Sequence, residues 1–359
     1  MIEFWTLLIA VVTAAACALT GTFLVLKREA LVSEGLAHSV LPGIVIAYVI
    51  TGSRTSPLLI AGAAGMGLAM VLLVQAIRRT GIVDRDASLG VVFPALFSIG
   101  VLLANAELSG VHFHADCIID GNLSLSVLDR VNAFGRDLGP KALWTMSIAL
   151  LSVAAFLALF YKEMKLVTFD AGLAGTLGFR PALMNTVWLA LVSFVTVAAF
   201  ETAGSILVVA LMIAPPAAAS LWTKNLPVLL AVAVLFAIAA AISGFYTAFA
   251  LDIAPAGPMA TLAGVVFLVS FLVAPSEGVV SARLRRRSQS RSLEASLLAA
   301  RAESSGPAPA ETLRAELDWP TSRFERALAE AVSSGLVSEE GGAGSTGPRT
   351  LRCAGPVTS

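Results

Sequence analysis

Long apolar stretches dominate the first 275 residues and constrain the fold more than any other feature. Each is long enough to cross the roughly 30 Å hydrocarbon core of a bilayer as an α-helix. Gly and Ala recur within them, and such small residues allow helices to pack closely in lipid. The sequence therefore predicts an all-α, polytopic transmembrane bundle of eight or nine helices, eight if one short stretch is re-entrant. The nine stretches lie at 4–26, 33–51, 57–77, 88–104, 142–161, 183–200, 204–223, 226–249 and 258–275.

Charge is distributed unevenly along the chain and separates this apolar body from a polar tail. Residues 276–359 contain 21 charged residues in 84 positions, whereas residues 1–275 contain only 27. The charge-poor body excludes a soluble enzyme, because ordinary soluble domains carry about a quarter charged residues. We predict a transmembrane domain over 1–277, a basic Ser- and Arg-rich linker over 278–305 and a small winged-helix-like cytoplasmic domain over 306–359.

The positions of Lys and Arg predict the orientation of the bundle. Placing the N-terminus outside puts most basic residues of the body, and the Arg cluster at 283–287, on the cytoplasmic side. We therefore expect a multi-pass membrane protein with a cytoplasmic C-terminus. The first stretch lacks a basic n-region, so it is not predicted to be a cleaved signal peptide. The Arg cluster could contact anionic lipid heads. Nucleic-acid binding by the tail is not expected, because 291–359 holds seven Arg against nine Asp and Glu.

Two groups of polar residues could bind a metal ion. Glu34 and His38 are four residues apart, so on a helix they share one face and could hold one ion. The alternative is that Glu34 caps the second span while His38 forms a hydrogen bond to a neighbouring helix. Pro42 follows at once and would kink the span and free backbone carbonyls.

The second group lies within nine residues and combines nitrogen, oxygen and sulfur donors. Asp116 and Asp120 are the stronger candidates in this group. His112, His114 and Cys117 are weaker ones, because a polar external loop would explain them equally well.

Four ordered motifs resemble the ABC-type manganese/zinc/iron permease family. The first is the run from Glu34 through His38 to Leu-Pro-Gly, in which Glu replaces the usual Asp. The others are the Asp segment ending in Gly-Asn at 116–122, the apolar helix ending in Ala-Pro at 204–215 and the Asp-x-x-x-x-Gly-Pro turn at 252–258. The resemblance implies that two permease copies form a path for manganese, zinc or iron through the bacterial inner membrane, and that no cofactor is permanently bound. It also implies three kinds of partner: a separate ABC ATPase, an extracytoplasmic metal-binding protein and a second permease copy, identical or related.

The resemblance further implies a coupling role for residues 168–180, which would dock on the ATPase through a segment containing Asp170, Ala174 and Gly178. The chain contains no Walker A pattern, so ATP hydrolysis is expected in another subunit and this chain is not expected to be an enzyme. Three alternatives stay open from the residues alone. They are an ABC permease for a metal chelate or cobalamin-type cargo, a membrane-tethered regulator acting through the tail, and an ion-coupled secondary transporter.

Overall fold

The computed structural model describes residues 2–52, 57–107, 123, 125–133, 136–275, 278–305, 308–340 and 350–353. The chain divides into two compact units, Met1–Leu272 and Val273–Ser359. Within the described residues, nine helical segments are long and apolar enough to cross a membrane, which confirms the predicted polytopic bundle. The elements of the bundle are α1 (Ile2–Leu26), α2 (Leu31–Ser39), α3 (Leu41–Thr51), α4 (Pro57–Arg79), α5 (Arg85–Glu107), β1 (Arg130–Ala133), β2 (Arg136–Pro140), α6 (Lys141–Phe169), α7 (Ala171–Thr176), α8 (Pro181–Ala203), α9 (Ser205–Trp222), α10 (Leu226–Leu251) and α11 (Ala256–Val273).

Helix α1 lies at the centre of the bundle, because α6, α9 and α10 all pack against it. Gly21 allows the closest approach, since a Cβ atom there would overlap the carbonyl group of Met212 on α9. Aromatic side chains extend the core on the α6 and α8 side. The Trp188 ring centroid lies 5.0 Å from that of Phe23 and 5.7 Å from that of Phe156. Small residues and interlocked rings thus provide the close packing that helices need in lipid.

The second apolar stretch, predicted as one span over 33–51 with a kink, forms two helices. Helix α2 ends and α3 begins on either side of Val40, and α3 carries Pro42 in its first turn. Pro42 has no N–H group, so it cannot donate the helical hydrogen bond to the carbonyl of His38, four residues earlier. The α3 segment ends at Gly52, whose φ of 62° lies in the left-handed region that favours glycine.

Helix α6 is longer than the stretch predicted at 142–161. Its 29 residues correspond to about 43 Å, which exceeds the roughly 30 Å of a hydrocarbon core. Phe160 departs from helical geometry, with φ −114° and ψ 24°, near the end of the apolar stretch. The antiparallel hairpin β1–β2 precedes α6 and is a small exception to the all-α prediction.

The second unit contains α12 (Val279–Ser305), β3 (Ala308–Pro309), α13 (Ala310–Leu317), α14 (Thr321–Ser333), β4 (Val337–Glu340) and β5 (Thr350–Cys353). Its three strands form an antiparallel sheet in the order β3–β5–β4. Phe324 and Leu328 of α14 and Leu351 of β5 are buried in its core. The expected wing residues 341–347 lie outside the described residues, and the winged-helix interpretation stays a prediction.

The structure differs from the expectation of a linker over 278–305. These residues form the helix α12, and the second half of that helix packs into the core of the second unit. The buried positions Ala295, Leu298, Ala299 and Ala302 recur at three- and four-residue spacing, which places them on one helical face. The Ser- and Arg-rich composition around them obscured this apolar stripe.

Candidate ion path and coupling segment

Glu34 and His38 lie on α2, as their spacing predicts. Glu34 is exposed and His38 is half-buried, on the same side of the helix as the exposed Leu31. The other side of α2, which includes Val32 and Leu36, is buried against the rest of the bundle. A carboxylate and an imidazole therefore lie on the side of α2 that the described residues leave more exposed.

Neither alternative role expected for these two side chains is observed. No side-chain hydrogen bond caps the N-terminus of α2, so Glu34 does not act as its cap. Within the described residues, the His38 ring contacts two aromatic rings and forms no side-chain hydrogen bond. Among the described residues, neither side chain forms a hydrogen bond or ion pair, so both are available to an exogenous partner.

The aromatic neighbours of His38 come from α5, and the sequence analysis missed them. The His38 ring centroid lies 6.0 Å from that of Phe93, in a stacked arrangement, and 5.8 Å from that of Phe97, in an edge contact. The two phenylalanines are four residues apart, so they share a face of α5. That spacing was visible in the sequence, but nothing local indicated that this face meets α2.

Helix α2 and the start of α3 lie close to α5 because glycine residues stand at the points of contact. A Cβ atom at Gly35 would lie 3.2 Å from Met70 Cε and 3.7 Å from Phe93 Cβ. Further along α5, a Cβ atom at Gly100 would lie 2.8 Å from Pro42 Cδ. These contacts fix how closely α5 can approach the two donor residues.

The second group of predicted donors lies outside the described residues. His112, His114, Asp116, Cys117 and Asp120 all fall between α5 and β1 in that part of the chain, and their assignment stays a prediction. Across the described residues, no three His, Cys, Asp or Glu side chains come together in a group that could hold a metal ion.

Helix α7 occupies the predicted coupling segment and has well-defined ends. The Asp170 carboxylate accepts a hydrogen bond from the Leu173 amide at 2.9 Å and so caps its N-terminus. At the other end, Phe179 N–H donates to the Ala174 carbonyl and Gly178 N–H donates to that of Gly175, both at 3.1 Å. This pair of bonds is a Schellman motif, which requires a left-handed residue. Gly178 has that conformation, with φ 87°.

The outer surface of this segment is apolar and open. Ala174 is buried against the chain, but Leu173, Leu177 and Phe179 are 48%, 61% and 42% exposed. A Cβ atom at Gly175 would meet nothing within 4 Å. Among the described residues, Ala174 is the small residue of this segment that is buried, and its other small residues are exposed.

A polar cluster near the start of α8 also escaped the sequence analysis. Lys27 Nζ donates to Asn185 Oδ1 at 2.9 Å, and Thr186 Oγ1 donates to Gln75 Oε1 at 3.3 Å. These bonds join the ends of α1 and α4 to the first turns of α8, the helix that follows the coupling segment. Single polar residues in apolar spans were the available signal, because such residues are costly in lipid unless they have partners.

An acidic side chain at another helix end is also paired. The Glu201 Oε1 atom lies 3.5 Å from Lys141 Nζ. Lys141 also lies 3.9 Å from Asp129 Oδ2, so it bridges two carboxylates at the start of α6.

Comparison with known proteins shows the family to which this chain belongs. Residues 2–274 match the profile of the ABC 3 transport family. The chain belongs to this family. The match spans α1 to α11, and thus both the α2 donors and the α7 segment. The expectations of an ABC transport permease and of a multi-pass membrane protein are thereby confirmed.

Relatives in the ABC 3 transport family differ in how much of the chain they cover. The zinc transport system membrane protein TroD of Treponema pallidum is 40% identical over 341 residues, which cover 93% of each chain. The manganese transport system membrane protein MntD of Bacillus subtilis is 37% identical over 283 residues, which cover 79% of this chain and 96% of MntD. A protein of MntD length therefore matches the bundle without most of the second unit.

The fold of the bundle also resembles a solved structure, PsaBC from Streptococcus pneumoniae in complex with Fab. The TM-score is 0.64 at 21% sequence identity, and the superposition covers 78% of this chain and 94% of that chain. At this identity the similarity concerns the fold alone.

Proposed function

We propose that this chain is the membrane permease subunit of an ABC importer for a divalent transition-metal ion, manganese or zinc, with iron as a further candidate. The observation that carries the proposal is that Glu34, which is exposed, and His38, which is half-buried, share one side of a helix within a stretch apolar enough to span a membrane. Ionisable residues in such stretches are costly and usually serve transport. Carboxylate oxygen and imidazole nitrogen suit manganese, zinc and iron alike. Relatives named for zinc and manganese transport support the same assignment.

The exposure of the pair indicates how the ion path would be built. In a path formed by two copies, each copy would offer one carboxylate and one imidazole from its own α2 surface. Each copy would contribute only a two-donor site, which can release its ion more readily than a closed four-ligand cage. Pro42 cannot donate a hydrogen bond to the backbone carbonyl of His38. That carbonyl would be a further oxygen donor beside the imidazole.

The partners follow from the two ends of this path. An extracytoplasmic metal-binding protein would deliver the ion to the outer face. A separate ABC ATPase would receive the exposed apolar residues of the α7 segment, and its ATP cycle would move α7 and the adjoining α8. In this arrangement the permease itself performs no catalysis, and the C-terminus is cytoplasmic.

The second unit would have an accessory role, in regulation or protein contact. Arginines of this unit whose side chains the structure describes form hydrogen bonds within the unit, which does not favour nucleic-acid binding. Arg323 Nε donates to Glu294 Oε1 at 2.7 Å, and its guanidinium lies 4.7 Å from the centroid of the Trp319 ring. Arg301 Nε donates to Glu316 Oε2 at 2.9 Å. The match to MntD without most of this unit also argues against the tethered-regulator alternative, in which the tail would be the functional end.

Metal uptake by proteoliposomes that contain the permease and its ATPase, supplied with the binding protein, tests the proposal. We expect Glu34→Gln and His38→Gln each to raise the apparent KM for manganese or zinc by roughly tenfold or more, as loss of a metal-site group commonly does. Leu31→Ala, on the same exposed side of α2, is the matched control and should leave KM unchanged. Normal KM in both donor variants would contradict the ligand assignment.

The same preparation separates the remaining alternatives. Free manganese or zinc salts should compete with the transported ion, whereas a chelate or cobalamin permease would not respond to them. Uptake that continued without the ATPase would identify a secondary transporter instead.

A further inference from the structure

The His38 ring contacts two phenylalanine rings, whose planes are inclined to it at different angles. The planes of the His38 and Phe93 rings are inclined by 29° at a centroid separation of 6.0 Å. The planes of the His38 and Phe97 rings are inclined by 78° at 5.8 Å. Both separations lie within the range in which aromatic rings attract one another. The two contacts together restrict the freedom of the imidazole ring.

The two phenylalanines are themselves held by the backbone around them. They are four residues apart on one face of α5. On the α2 side, Gly35 leaves no spare room, because a Cβ atom there would touch Met70 Cε and lie 3.7 Å from Phe93 Cβ. Beyond Phe97, Gly100 contacts Pro42 at the start of α3. Since α5 is pinned on both sides of the ring pair, Phe93 and Phe97 cannot easily move away from His38.

This support replaces the usual means of orienting a metal-binding histidine. Such residues normally donate their second ring N–H to a carboxylate or a carbonyl, which fixes the orientation of the ring. In the part of the chain described by the structure, the His38 side chain forms no hydrogen bond and its recorded partners are the two phenylalanine rings. The aromatic contacts are thus the observed restraint on the imidazole.

We infer that Phe93 and Phe97 are positioning residues, which hold the His38 imidazole in the orientation in which it binds the transported ion. This inference rests on the proposed function, because the two rings act on ion binding only through His38 as a ligand. Without one of the rings, the His38 side chain would lose conformational entropy when it binds the ion, so loss of either ring should weaken ion binding. The subsequent movement of the ion should proceed at its usual rate.

The test measures metal uptake with the full chain, its ATPase and its binding protein in proteoliposomes. Phe93→Leu and Phe97→Leu should each raise the apparent KM for manganese or zinc by roughly three- to tenfold, the effect of freeing one ordered side chain. The maximal rate should change by less than about twofold, since only binding is affected. Phe93→Tyr keeps the ring and should retain the original KM. Phe271→Leu, in the stacked pair that Phe267 and Phe271 form on α11, is the matched control and should have no effect on KM.

A double-mutant cycle separates positioning from a general structural role. In a His38→Ala background, Phe93→Leu should cause no further rise in KM, because the ring then has nothing to orient. An equal rise in both backgrounds would overturn the inference, and so would an unchanged KM in both leucine variants. If Phe93→Leu fails to fold, Phe97→Leu carries the same cycle.

Failure of the proposed function gives a different result. An unchanged KM in His38→Ala would contradict the assignment of His38 as a ligand, and the inference about Phe93 and Phe97 would be rejected as well. A raised KM in His38→Ala together with normal leucine variants would retain the ligand and reject only the positioning role.

Discussion

Gly43 of α3 and Gly62 of α4 lie backbone against backbone. A Cβ atom at Gly62 would lie 2.6 Å from the Gly43 carbonyl oxygen and 2.9 Å from Ala47 Cβ, and a Cβ atom at Gly43 would in turn overlap the carbonyl of Gly62. Gly43 is the glycine of the Leu-Pro-Gly run that follows the donor pair. The motif therefore has a packing function, which is to hold α3 tightly on α4.

Substitution of Gly62 by alanine should destabilise the bundle. The added methyl group has no space, so α3 and α4 must separate, at a cost of about 1–3 kcal/mol. The thermal unfolding midpoint of the purified permease in detergent measures this effect. Gly65→Ala is the control on the same helix, because a Cβ atom there would meet nothing within 4 Å. Equal unfolding midpoints for the two variants would show that the close contact is not required.

Substitution of Gly178 by alanine should impair the coupling segment. The φ of 87° disfavours any residue with a Cβ atom, by about 1–2 kcal/mol, so the last turn of α7 and Phe179 would shift. The measurement is ATP hydrolysis by the assembled transporter, together with metal uptake. We expect uptake per ATP hydrolysed to fall. Gly175→Ala, within the helix and facing open space, should keep the ratio. A normal ratio in Gly178→Ala would mean that the geometry of this turn does not matter for coupling.

Removal of the Asp170 cap should weaken the same segment at its other end. Asp170→Ala leaves the Leu173 amide without its acceptor and costs about 1 kcal/mol of helix stability. Asparagine is an equally good capping residue, so Asp170→Asn should keep normal uptake. Uptake rates of the two variants at matched expression provide the comparison. If both variants lost uptake equally, the carboxylate charge and not the cap would be the important property.

Deletion of residues 281–359 should leave metal uptake within about twofold of the full chain under fixed conditions. The physical reason is that the bundle has its own core, and MntD matches it without most of the second unit. Uptake at several external metal concentrations is the appropriate measurement, because a regulatory unit would change how the rate depends on metal. Complete loss of uptake by a stably inserted variant would contradict an accessory role.

Hydropathy predicted the spans of the bundle well because lipid imposes a strong and local constraint on each of them. Every backbone group in lipid must be paired within its own helix, so length and apolarity suffice to identify a span. The same local criterion failed for α12, where polar residues surround the stripe that begins at Ala295 and Leu298. In that helix burial depends on a spacing of three and four residues and not on average hydropathy.

The candidate site was predictable only in part for the same reason. The four-residue spacing of Glu34 and His38 is a property of one helix, and the structure places both on one side of α2 as predicted. The contact of His38 with Phe93 and Phe97 joins helices that are about 55 positions apart in the chain. No local pattern specifies which face of α5 meets α2, because that choice depends on the packing of the whole bundle.

The division of the second span at Val40 separates two kinds of attachment. On one side, α3 is fastened to α4 by direct backbone contact at Gly43 and Gly62, which leaves no freedom to slide. On the other side, α2 lies against α5 through side-chain contacts, among them those of His38 with Phe93 and Phe97. One half of the span is thus attached through its backbone and the other through its side chains, and the residues proposed to bind the ion belong to the second half.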